Sequence, residues 1–176
     1  MKLIPSIETR RSYRAFNDKP IEQEKIEILK ESVLRAPTSK NKQAWEFVMV
    51  TDNVLNEKLS TAKPQGGTFL SQCPLSFVVC GNIDETDCWI EDTSIACTFI
   101  QLQAEALGLG SCWVQIRARQ HDDNTSAEAY IQSLLNIPSN YKVLAIIGIG
   151  HYDKAKNPRS KDSLRWEKVH ENKFNA

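Results

Sequence analysis

Strands and helices alternate along this chain, and that alternation constrains its fold more than any other feature. Glu46-Phe47-Val48-Met49-Val50 reads as a strand, and Leu75 to Cys80 as a second, largely apolar one. Ser111 to Ile116 makes a third, and Lys142 to Ile149 a fourth that is strongly apolar. Helical patterns separate them. Ile26, Leu29 and Val33 fall at helical spacing between Pro20 and Arg35, and Ala36-Pro37 closes that helix because proline disfavours helical geometry just before it. Asp52 is placed to cap a short helix through Leu59, Lys63 to Gly67 is a flexible loop, and a further helix spans Ala127 to Leu135. The longest helix starts near Glu91. Ile95, Phe99, Leu102 and Ala106 share one of its faces, which is expected to make it a central buried helix, and Gly108 stands where a left-handed cap would end it. The class that follows is an α+β or α/β sandwich.

A length of 176 residues suits one domain, expected to span 1–176 with a polar tail from 151. Lys and Arg balance Asp and Glu, 22 against 22, without a long run of either sign, so neither nucleic acid nor a membrane surface is an expected partner. Small molecules or another copy of the chain remain. Met1 to Pro5 begins no extended apolar stretch, and no segment approaches the ~20 apolar residues of a membrane span, so a cytoplasmic location is expected. Cys73, Cys80, Cys88, Cys97 and Cys112 are scattered and never spaced C-x-x-C, which argues against a disulfide framework or a metal site. Cys80, Cys97 and Cys112 read as small core side chains. In the tail, Trp166, His170 and Phe174 are expected to be anchored on their own subunit or across a dimer interface, since an aromatic side chain needs apolar cover.

Arg10-Arg11-Ser12-Tyr13-Arg14-Ala15-Phe16 gathers guanidinium groups and a hydroxyl, a set suited to phosphate oxygens, although a solvated basic face has the same composition. Ala36 to Trp45 is a loop of small polar side chains that reads either as a ligand contact or as an ordinary connection. Gly108-Leu109-Gly110-Ser111 is not a dinucleotide fingerprint. Its glycines end a helix and lead into a strand, the reverse of the order in which a helix N-terminus receives a pyrophosphate. Arg159 and Lys161 flank Ser160 late in the chain, where their charges can converge from an extended loop. His121, His151 and His170 lie far apart with no paired acid, so no catalytic side chain is assigned.

Taken in order, these segments resemble the nitroreductase family of flavin mononucleotide-dependent oxidoreductases. Arg10 to Phe16 matches R-R-S-x-R-x-F, and Ala36 to Trp45 matches A-P-S/T-S-x-N-x-Q-x-W. The likeness continues through Gln65 to Phe69 with Cys73-Pro74, Cys80 to Asn82, Trp89 to Asp92, Ala106 to Trp113, Val143 to Gly150, Pro158 to Lys161 and Val169-His170. The resemblance implies a homodimeric α+β fold, an α-β-α sandwich with a mostly antiparallel mixed sheet around a central helix. It implies FMN as cofactor, with Arg10, Arg11, Ser12 and Arg14 on its phosphate and ribityl chain and Arg14 reaching toward the pyrimidine. Arg159 and Lys161 would close over the phosphate, and Pro37, Thr38, Ser39, Asn41 and Gln43 would reach the flavin of the other subunit. Gly67 would line the cofactor, and Trp113, Val114 and Gln115 would run past its reactive edge. Some relatives place an asparagine and a lysine beside the pyrimidine from the loop before the second strand, near where this chain has Gly66 and Phe69, so backbone amides or Arg14 are expected there. Gln115 stands at a position that varies among relatives. The implied activity takes a hydride from NADH or NADPH and passes it, by a ping-pong mechanism, to an electron-poor small molecule such as a nitroaromatic or quinone. Reductive dehalogenation, enone or azo reduction on the same cofactor, or flavin binding without catalysis, are the alternatives.

Overall fold

The computed structural model describes residues 3–174; Met1, Lys2, Asn175 and Ala176, the ends of the expected 1–176 domain and of the N-terminal reading, lie outside the described residues. Strands β1 (Trp45–Val50), β2 (Leu75–Asn82), β3 (Gly110–Gln115) and β4 (Tyr141–Gly150) form one sheet in the order β1-β2-β4-β3. Each ladder in it is antiparallel, and a parallel pairing enters as a single bridge between Ser12 and Ser111. The helices are α1 (Leu3–Thr9), α2 (Gln23–Leu34), α3 (Asn53–Ser60), α4 (Trp89–Ala106) and α5 (Ala127–Leu135).

The two most apolar strands take the middle of the sheet, where both faces lose water. β2 is buried along its whole length and β4 from Val143 onward. Leu75, Phe77, Val79, Ile147 and Ile149 face one core with Leu29 and Val33 of α2 and Cys97 and Ile100 of α4. Val78, Cys80, Val143 and Ile146 face the other, with Leu59 of α3 and Ala127 and Ile131 of α5. Helices therefore cover both faces of the sheet, the expected α+β sandwich. The β2–β4 register slips between Val79 and Cys80, and Leu144 is the extra residue. Its carbonyl accepts both the Ile116 and Arg117 amides, at 3.1 and 3.0 Å, and so ends β3.

Local signals behave as the sequence reading expects at several ends. Asp52 Oδ1 accepts the Leu55 amide at 2.8 Å, and Gly108 follows α4 with φ +72°. The buried face of α4 is a correction. Ile95 and Phe99 are 37% and 39% exposed, whereas Ala96, Cys97, Ile100 and Ala104 are fully buried. Small side chains let the helix approach the sheet and α2 closely, so the bulky stripe is turned outward. Of the tail residues expected to be anchored, Trp166 and Phe174 are exposed, so their own subunit leaves them largely uncovered, while His170 is half-buried with its ring 4.4 Å from that of Phe174. Among the described residues, no helix is long and apolar enough to cross a membrane.

Candidate active site

β3 is an edge strand, and the arginine-rich segment partly covers its outer side. The Tyr13 amide donates to the Ser111 carbonyl at 3.0 Å, next to the Ser12–Ser111 bridge. An outward carbonyl at Ser111 sets the direction of alternate residues, so the backbone groups of Trp113 and Gln115 also point away from β4. No strand pairs with them there among the described residues. Gly110 allows the strap to lie this close, because a Cβ would meet Tyr13 and Tyr152 at 2.9 Å.

The residues after β4 stitch the strap in place. Arg11 Nη1 donates to the Asn157 carbonyl and Lys156 Nζ to the Ser12 carbonyl, both at 2.7 Å. The Lys156 amide reaches the Tyr13 hydroxyl at 3.1 Å, and the Tyr13 and Tyr152 rings stack at 4.0 Å. Both ends of the polypeptide thus meet beside β3. Between them lies a cavity of about 770 Å³ lined by Arg11, Tyr13, Arg14, Phe16, Tyr152 and Lys156, among others.

Cys112 reports the charge around this edge. Burial pushes its thiol pKa up, opposed by Arg14, by a hydrogen bond with Ser12, and by Lys156 and Arg10. A second group of cations stands on the side of Gly66 and Gly67. The Lys63 pKa is lowered by burial and by repulsion from Arg119, with Cys112 opposing. Lys63 Nζ lies 3.7 Å from where a Gly66 Cβ would sit, and a Gly67 Cβ would touch Val114 at 3.7 Å. Anionic ligands gain from such an arrangement, and outward amides can orient a planar polar one.

Arg10, Arg11, Ser12, Arg14, Gly67, Trp113, Val114 and Gln115 are therefore gathered around one strand edge. Within that set Val114 is buried, so its side chain belongs to the core, and Gln115 Oε1 accepts from Trp113 Nε1 at 2.9 Å. Phe69 is also core, 6% exposed. Arg159 and Lys161 are exposed on the tail, Arg159 two residues beyond Asn157. Pro37, Thr38, Ser39, Asn41 and Gln43 are not brought to this edge. They precede β1, at the far side of the sheet, three strand spacings or about 14 Å from β3. That loop holds Lys40, Asn41 and Gln43 at φ 50°, 54° and 51°, and its Ser39 amide donates to Asp92 Oδ1 at 2.8 Å. Sequence reasoning missed Lys63, Arg119, Tyr152 and Lys156. Lys156 carried a signal, since Lys154 and Lys156 extend the basic Arg159 segment; Lys63 and Arg119 belong to no motif.

The sequence matches the model of the Nitroreductase family over residues 7–69 and 65–151. An FMN-dependent nitroreductase from Clostridium difficile R20291 superposes with a TM-score of 0.95 and 43% identity, over 97% of this chain and 99% of that one. An NADPH:FMN oxidoreductase from Vibrio harveyi, solved in complex with NAD+, gives a TM-score of 0.82 at 25% identity, over 99% of this chain and 78% of that one. An FMN reductase [NAD(P)H] of Bacillus subtilis (strain 168) is 28% identical, over 90% of this chain and 70% of its own.

Proposed function

The chain belongs to the nitroreductase family, and we propose that it works as an FMN-dependent NAD(P)H oxidoreductase with its cofactor along the open edge of β3. The observation that carries this reading is the junction of strap and tail, where Arg11 and Lys156 tie the two ends of the chain together beside outward-facing amides. The residues present fit the group. Arg10, Arg11, Ser12 and Arg14 take the phosphate and ribityl chain, and Arg159 and Lys161 close over the phosphate from the tail. Gly67 lines the ring side beside Val114, while the amides of Trp113 and Gln115 donate to the ring's edge. Lys63 and Arg119, with Arg14, favour negative charge at the pyrimidine end, the role that Gly66 and Phe69 leave open. Bound FMN supplies a ring that accepts a hydride and gives it up again.

NADH or NADPH and an electron-poor acceptor, such as a nitroaromatic or quinone, use the same open face in succession, which makes turnover ping-pong. No side chain is assigned as nucleophile or general base. The functional unit is a homodimer in the cytoplasm. Ile95, Phe99 and the exposed Leu3, Ile4 and Ile7 of α1, which packs on α4, leave apolar surface that a second copy covers. The same pairing lets Pro37, Thr38, Ser39, Asn41 and Gln43 of one subunit reach the flavin of the other. Visible absorption of the purified protein, followed while NADH or NADPH and then acceptor are added, tests this: flavin bands should bleach and recover. A colourless protein that takes up no FMN overturns it.

A further inference from the structure

Asp92, in the first turn of α4, is a buried carboxylate with half of its bonding capacity unused. It is 3% exposed; Oδ1 accepts the Ser39 amide at 2.8 Å across a separation of 53 residues, and Oδ2 is buried without a partner. The Trp45 indole Nε1, a donor, is likewise buried without a partner. These two groups share a neighbourhood. Trp45 packs against Ala96, one helical turn after Asp92 on the same face of α4, together with Ala36. Because both atoms are already closed off within a single chain, their partners must come from inside the fold. An orphaned donor packed against α4 and an orphaned acceptor one turn earlier on the same helix each carry a desolvation cost that pairing removes.

We propose that Asp92 is the positioning residue of the Thr38–Gln43 loop, holding Ser39 with Oδ1 and reaching the Trp45 indole from Oδ2 through one internal water. Ala36 and Trp45 bound this loop, so one carboxylate fastens its middle and its exit to α4. The clamp has something to hold against: Lys40, Asn41 and Gln43 all occupy the left-handed region, which is costly for residues other than glycine. Gln43 adds a local tie, its amide donating to Thr38 Oγ1 at 2.9 Å. The inference rests on the reading above, in which this loop meets the flavin of the other subunit, and it names what fixes the loop's shape.

The test is Asp92→Asn, with Trp45→Phe, the double variant and Asn41→Ala beside it. The flavin-free protein is read first, by amide exchange at Ser39 and by the Trp45 indole N–H resonance. Asp92→Asn should speed Ser39 exchange by about tenfold and move the indole signal. The effects of Asp92→Asn and Trp45→Phe on exchange should fall short of additive in the double variant. Unchanged Ser39 exchange, an unmoved indole signal or strict additivity overturns the clamp. FMN affinity is read second, and Asp92→Asn should weaken it about as much as Asn41→Ala does. If Asn41→Ala weakens FMN and Asp92→Asn does not, the positioning role fails. If neither weakens it while Ser39 protection is lost, the clamp stands and the loop's contact with flavin is what fails.

Discussion

Arg10 and Arg14 act on the buried Cys112 thiol from a strap that the opposite end of the chain holds down, and this makes their charges usable together. A charge-assisted hydrogen bond to phosphate is worth about 1.5–3 kcal/mol, so Arg10→Ala should raise the FMN dissociation constant roughly tenfold to a hundredfold. Arg159→Ala should act in the same direction with little effect on folding. Fluorescence titration of FMN measures both, and unchanged affinity in the two variants would place the phosphate elsewhere. The cysteines also separate by environment. Cys73, Cys80, Cys97 and Cys112 are buried and burial raises their thiol pKa values, that of Cys80 to about 12, whereas Cys88 is partly exposed. Iodoacetamide at neutral pH should therefore modify Cys88 in the native protein, and the others only after unfolding, as read by peptide mass spectrometry. The role of Cys80, Cys97 and Cys112 as small core residues was legible from their apolar neighbours, and Cys73 joins them in the core. Lys63 and Arg119 were not, because only folding brings residues 56 positions apart to one strand edge.

The helix α4 shows how an apolar stripe can mislead. Ile95, Phe99, Leu102 and Ala106 do share a face, yet the sheet takes the adjacent face of Ala96, Cys97, Ile100 and Ala104, where three small side chains flank Ile100 and let the layers close. Periodicity locates an apolar stripe without saying whether its cover is the same chain or another. A charge in that stripe should report on association more than on folding. Phe99→Glu is expected to shift the protein toward monomer in sedimentation velocity while its far-ultraviolet circular dichroism is retained; an intact dimer would move the interface off α4. The strap is an element with a pH dependence of its own. Burial, with Tyr13 as hydrogen-bond partner and neighbour, raises the Tyr152 pKa from 10.0 to about 12. Its protonated form is thus favoured by the fold: the stability it contributes is complete below about pH 10 and is lost as pH rises toward 12. Cys80, raised from 9.0 to about 12, adds a loss that begins slightly lower. Thermal midpoints measured from pH 8 to about 11 should fall, and Tyr152→Phe should flatten the upper part of that curve.

At the scale of the whole molecule, cofactor binding and association should be one linked equilibrium, since the loop before β1 and the strap beside β3 stand at opposite edges of the sheet. Saturation at a hundredfold excess over the dissociation constant adds about 2.7 kcal/mol, which for a chain of this size is roughly 5–11 °C in thermal midpoint. The midpoint should also rise with protein concentration, and independence from both FMN and concentration would separate the two sites. The sequence alone determined the order and kind of the four strands and of α2 to α5, though not α1, with the cap at Asp52 and the left-handed Gly108, because each depends on neighbours a few residues apart; the motifs that mark the family were legible from their order along the chain. Tertiary structure alone decided which face of α4 is covered, that Lys156 and Tyr152 complete the strap, that Lys63 lies within the field of Arg119, and that Asp92 reaches Ser39. Those contacts depend on how layers pack and on where an edge strand is left open, and no local spacing encodes them.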